Sequence, residues 1–115
     1  MQGRAIVAAL IMAASLAAHS GPARASLHFH DGSSLLEMCR ESSLWLQCLG
    51  YVQGVVDHWE DWRESQRLPP CLPGEVQGQQ IIDALVGYLA AHPERRGWNG
   101  DLVVLDAVGQ TWCPR

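Results

Sequence analysis

The sequence predicts an all-α domain, a small bundle of about four helices stapled by disulfides. Apolar residues recur at helical spacing in four separate stretches, and no stretch alternates with period two for long enough to make a strand. Four cysteines, Cys39, Cys48, Cys71 and Cys113, all fall beyond residue 25. An even number of cysteines in so small a chain reads as a disulfide framework. Ahead of them, an apolar run follows Arg4 and ends in Ala23-Arg24-Ala25, the pattern of a secretory leader, which would deliver those cysteines to an oxidising compartment.

The apolar run from Ala5 to Ala18 is about 14 residues and spans roughly 21 Å as a helix. A bilayer core needs roughly 30 Å, so residues 1–25 are read as a signal peptide and residues 26–115 as one domain. Cleavage after Ala25 would leave 90 of the 115 residues, and the loss of Arg4 and Arg24 would take the net charge from −4 to −6. There is no lysine anywhere in the chain. Such an acidic balance, without a basic cluster, argues against nucleic acid and against an anionic membrane surface as partner. No later stretch is apolar for long enough to cross a membrane. The hydrophobic and charged fractions, 48% and 17%, are those of an ordinary globular chain and exclude disordered or fibrous classes.

Taken in order, Ser34-Leu35-Leu36-Glu37 has the form of a capping box and opens a short first helix that carries Cys39. Glu41-Ser42-Ser43 breaks it. A second helix runs over about 44–64. At 100° per residue it gathers Trp45, Cys48, Leu49, Val52, Val55, Val56 and Trp59 on one face, with Asp57, Glu60, Asp61 and Glu64 roughly opposite. Gly50 and Gly54 lie near that acidic stripe, and two glycines one turn apart weaken a helix by about 1 kcal/mol each. They predict close packing there, with the first helix as the neighbour.

The Pro-rich segment 68–74 ends the second helix. A third helix, about 75–91, aligns Ile81, Ile82, Leu85, Tyr88 and Leu89 and stops at Pro93. A fourth, about 99–110, aligns Val103, Val104, Ala107 and Val108.

Helix lengths choose among the three possible disulfide pairings. A second helix of about 20 residues separates its ends by roughly 30 Å, whereas a disulfide needs Cα atoms within about 7 Å. Cys48 near its start is therefore out of reach of Cys71 beyond its end. The short 93–98 connection makes the third and fourth helices antiparallel, which returns Cys113 to the neighbourhood of Cys71. Cys71–Cys113 is favoured, leaving Cys39–Cys48 across the junction of the first two helices.

No catalytic constellation stands out. Asp57, His58 and Asp61 place a histidine beside acids, yet H-E-x-x-H is absent and no second histidine stands at ligand spacing. A chain beginning at Ser26 would put His28 third from a free amine, an arrangement that binds Cu(II) or Ni(II) but arises readily by chance, so no metal or cofactor is assigned. Like charges at 57, 60, 61 and 64 repel by a few tenths of a kcal/mol per pair, which suits either a solvated face or a partner with basic groups. Trp59 is expected in the core and Trp62 at its edge, partly exposed.

Several blocks together resemble one family: Leu35-Leu36-x-x-Cys39, Cys48-x-Gly50-Tyr51-Val52-x-Gly54-Val55-x-Asp57, Cys71-Leu72-Pro73, Gln80-Ile81, Tyr88-Leu89-x-x-His92-Pro93-Glu94, then Leu102-Val103, Ala107-Val108 and Trp112-Cys113. The chain resembles the Rap/Tai immunity proteins over nearly all of the domain, with Gly100 where that family usually has alanine. The resemblance implies an HdeA-like helical bundle in the periplasm, without catalysis of its own. It further implies binding and inhibition of a type VI secretion effector that is a peptidoglycan amidase, with homodimers known among relatives. The matched residues are mostly scaffold, and fold alone does not give function. The rival is an HdeA-like periplasmic chaperone triggered by acid, for which the 12 acids and His28, His30, His58 and His92 would supply the charge change. The blocks flank the stretch 57–69 and leave it almost unspecified, so Asp57, Glu60, Asp61, Trp62 and Glu64 are the expected partner contacts.

Overall fold

The computed structural model describes residues 27–113; the leader reading of residues 1–25 lies outside them. Helix α1 spans Gly32–Arg40, a 3-10 turn covers Ser42–Leu44, α2 spans Trp45–Ser65, and α3 spans Gly78–Ala91. A second 3-10 turn, Pro93–Arg95, leads into α4, Gly100–Trp112. The fold is an all-α bundle, as expected. The described residues hold no strand, only a single antiparallel bridge between Asp31 and Asn99, and none of their helices is long and apolar enough to cross a membrane.

All four helices contribute to one core. At its centre Leu35 of α1, Val52 of α2, Leu85 and Leu89 of α3, and Val103, Val104 and Val108 of α4 are completely buried. All of them but Leu35 come from the predicted apolar faces. The face of α2 is narrower than its periodicity suggests: only Cys48, Val52 and Val56 are buried, while Leu49, Val55 and Trp59 are half-buried. Val55 and Trp59 line an open hollow toward α4, and α2 is also the longest helix. With 21 residues against 14 for α3 and 13 for α4, α2 is about 31 Å long and overhangs partners of about 20 Å. Trp45, at one end, is 36% exposed and donates its indole N–H to Gln79 Oε1 at 2.6 Å.

Helix starts correct the sequence reading in two places. The capping box of α1 is Asp31–Ser34, not Ser34–Glu37: the Ser34 amide donates to Asp31 Oδ1 at 2.8 Å, and the Asp31 amide donates to Ser34 Oγ at 3.0 Å. The earlier start is possible because the Gly32 and Ser33 amides find acceptors elsewhere, in the carbonyls of Trp98 and Arg96 at 2.9 and 2.8 Å. Helix α3 begins at Gly78 rather than near Glu75. Its box is Gln77–Gln80, in which the Gln77 amide donates to Gln80 Oε1 at 2.8 Å; before it the Val76 amide closes a turn on Pro73 O at 3.1 Å.

The disulfides are Cys39–Cys48 and Cys71–Cys113, with Cα–Cα distances of 5.1 and 5.5 Å. This is the pairing that helix lengths favour. The expectation for Gly50 and Gly54 fails: a Cβ on either would meet nothing within 4 Å. The close approaches lie instead at Gly32, Gly78 and Gly100, each the first residue of its helix: Gly32 is pressed against backbone, Gly78 against the Leu49 side chain, and Gly100 against the Tyr51 hydroxyl and the His30 carbonyl.

Candidate functional site

Hollows flank the acidic half of α2, and two of them take in its exposed residues. On one side, Asp57, Asp61 and Glu64 face the 66–74 connection across a hollow of about 590 Å³ that also takes in Leu68, Pro70 and Leu72. On the other, toward α4, Gly50, Gly54, His58, Trp62 and Leu105 line a hollow of about 580 Å³. Trp62 belongs to the second and is 51% exposed.

The connection is held in place by two side chains of α2. The Glu60 carboxylate accepts hydrogen bonds from the Cys71 amide (3.0 and 3.2 Å to its two oxygens) and from the Leu72 amide at 3.1 Å. Arg63 stacks its guanidinium over Trp59, 5.0 Å from the ring centroid, and donates from Nε and Nη2 to Pro69 O at 3.1 and 2.8 Å. The helix itself ends in a Schellman turn: the Leu68 amide donates to Arg63 O and the Arg67 amide to Glu64 O, both at 2.9 Å. Arg67 takes the left-handed conformation there, at φ 58°.

The predicted contact residues thus divide by role. Asp57, Asp61 and Glu64 are exposed and pair with no cation among the described residues. Glu60 is turned inward and spends its carboxylate on loop amides. Trp62 stands beside the acids but faces the opposite hollow.

The sequence reading overlooked the second hollow. Tyr51 and Asp101 also line it. Burial and the Asp101 charge raise the Tyr51 hydroxyl above its ordinary pKa of 10.0, so it stays a neutral donor. The ring meets His30 edge-on at 5.0 Å between centroids, and its hydroxyl occupies space that a side chain on Gly100 would take. The signal in the sequence was the glycine pair, read there for the wrong neighbour.

Away from these hollows, Asp106 accepts from the Tyr88 hydroxyl and from Arg95 Nη1 at 2.9 Å. Burial, first, and the Asp106 bond hold the Tyr88 proton to a pKa of about 12. This network ties α3 to α4 and has the character of an internal brace. Among the described residues no three His, Cys, Asp or Glu side chains are grouped to hold a metal; His28 instead approaches Asn99 Nδ2 at 3.1 Å.

No curated protein and no solved structure matches the chain. The family model of the Rap1a immunity proteins matches residues 31–113, from the N-cap of α1 to the last cysteine. The match takes in every helix, both disulfides and the acidic half of α2 with these two hollows, and the chain belongs to the Rap1a immunity protein family.

Proposed function

We propose that the protein is exported to the periplasm, loses residues 1–25 there, and binds and inhibits a type VI secretion effector that hydrolyses peptidoglycan as an amidase. The observation that carries this reading is the family match over the whole fold; immunity against a secreted effector is what that family name denotes. The acidic half of α2 supplies a suitable surface. An exposed tryptophan is an effective interface anchor, and the unpaired carboxylates of Asp57, Asp61 and Glu64 would steer and orient a basic rim around an enzyme cleft. Inhibition by covering that cleft asks no chemistry of this chain.

The test is a search for a peptidoglycan amidase encoded beside this gene, followed by periplasmic co-expression of the two. Expected are rescue from lysis and a stable complex on gel filtration. Continued lysis with no detectable complex refutes the reading. Suppression of client aggregation at acidic pH, in the absence of any effector complex, would establish the chaperone alternative instead.

A further inference from the structure

Two chemically labile dipeptides face each other where α1 begins beside the start of α4. Asp31-Gly32 opens α1 and Asn99-Gly100 opens α4, and Asp31 and Asn99 are the partners of the antiparallel bridge. Each pair arises from ordinary demands. Aspartate and asparagine are favoured before a helix, and at the next position a Cβ would press on a backbone carbonyl, that of Arg95 at Gly32 and that of His30 at Gly100. Glycine is therefore required, and it removes the side chain that would shield its own backbone nitrogen.

In an Asp-Gly or Asn-Gly pair that nitrogen can attack the preceding side-chain carbonyl carbon. A C–N bond forms, and the amide proton departs with the leaving group, as ammonia from asparagine or as water from aspartic acid. Solvent water then opens the five-membered imide, and opening at the backbone carbonyl leaves isoaspartate, with one extra methylene in the main chain. In the folded protein both steps are held off. The Gly32 amide donates across the bridge to Trp98 O at 2.9 Å, and the Gly100 amide to His30 O at 2.8 Å. Both glycines are buried. Asp31 and Asn99 are extended, at ψ 179° and 142°, which turns each glycine nitrogen away from the Cβ that it must eclipse to close the ring.

We infer that the Asp31–Asn99 bridge is a shared lock on covalent ageing: closed, it keeps both dipeptides inert, and open, it turns both into imide-forming sites. An ionised carboxylate is the poorer electrophile, so Asn99 reacts first. Its product carries a new carboxylate opposite Asp31, and in the isoaspartyl form a longer backbone, so the bridge does not close again.

The experiment holds the oxidised protein at neutral pH, native or unfolded in guanidinium chloride, and follows both dipeptides by peptide mass spectrometry. Asn99 should deamidate at least tenfold more slowly in the native protein. Gly32→Ala crowds the α1 side of the bridge and leaves Asn99-Gly100 intact; Val108→Ala loosens the core at a buried site far along α4. In urea adjusted so that the two variants have equal unfolding free energy, Gly32→Ala should deamidate Asn99 at least threefold faster. Native and unfolded chains ageing at one rate overturn the lock. So does a smaller excess of Gly32→Ala over Val108→Ala, which makes the protection a property of global folding alone. Should Gly32→Ala not fold, amide hydrogen exchange of the native wild type decides: protection factors of Gly32 and Gly100 within fivefold of each other support one shared opening, and a larger difference overturns it.

Discussion

Alanine at Gly32 and alanine at Gly54 should change stability in opposite directions. A Cβ on Gly32 would lie 2.8 Å from Arg96 Cα, 2.9 Å from Arg95 O and 3.0 Å from Leu89 Cδ2. Carbon contacts are comfortable at about 3.5–4.0 Å, so the α1 start must lift by several tenths of an ångström. Two of the three obstacles are backbone, and the same turn is fixed to α1 by the bonds from the Gly32 and Ser33 amides to Trp98 O and Arg96 O. Overpacking of this kind costs about 1–3 kcal/mol, and stretching those two bonds adds up to about 1 kcal/mol each. The gain in helix propensity returns at most about 1 kcal/mol. The net is a loss of about 1–3 kcal/mol for Gly32→Ala, or a fall in melting temperature of about 4–20 °C for a domain of this size.

Gly54→Ala meets no atom within 4 Å and keeps only the propensity term, a gain of up to about 1 kcal/mol. Urea unfolding followed by circular dichroism at 222 nm, with disulfides intact, measures both. Gly32→Ala at or above wild-type stability, or Gly54→Ala below it, would refute the packing argument.

Four further outcomes are expected. Arg67→Gly relieves a left-handed non-glycine residue in the Schellman turn and should stabilise by about 0.5–1 kcal/mol in the same urea assay. Tyr88 holds its proton to about pH 12 in the folded chain against 10.0 for a free tyrosine; its contribution to stability is therefore complete below pH 10 and lost as pH rises toward 12. Absorbance titration near 295 nm should show both tyrosines ionising above the ordinary value, and urea should abolish the delay. Reversing Asp61 and Glu64 to lysine should leave folding within about 0.5 kcal/mol while slowing effector association and flattening its salt dependence in stopped-flow measurements. Replacing Cys71 and Cys113 by alanine opens a loop of 42 residues and should cost about 4 kcal/mol, against about 3 kcal/mol for Cys39 and Cys48, as read from urea midpoints.

Helix type, core membership and disulfide pairing were legible because each depends on short-range periodicity or on rigid helix length. Ile82, Leu85 and Leu89 declare their face locally, and the length of α2 alone keeps Cys48 from Cys71. What was not legible depended on contacts distant in sequence. Asp31 caps α1 because the carbonyls of Arg96 and Trp98 take the next two amides, some 65 residues away, and nothing near Ser34 announces them. Glu60 looked like one of four equivalent acids, but the Cys71 disulfide brings the 71–72 amides to it. The glycine pair was visible, yet spacing alone does not tell close packing from an open groove; that answer came from where α4 lies.

These particulars separate the residues of α2 that hold the fold from those that do not. A helix longer than the bundle it packs in has residues that the core does not constrain. In α2 they would fray if left to themselves, since the last turn also carries like charges. Glu60, Arg63 and the Cys71–Cys113 bond prevent this by folding the 66–72 segment back along the helix. The acids that remain, Asp57, Asp61 and Glu64, and the tryptophan beside them are thereby held on a rigid support without being required by it. Substitutions there would leave the fold the same, which is what the proposed function asks of a contact surface that must match one partner.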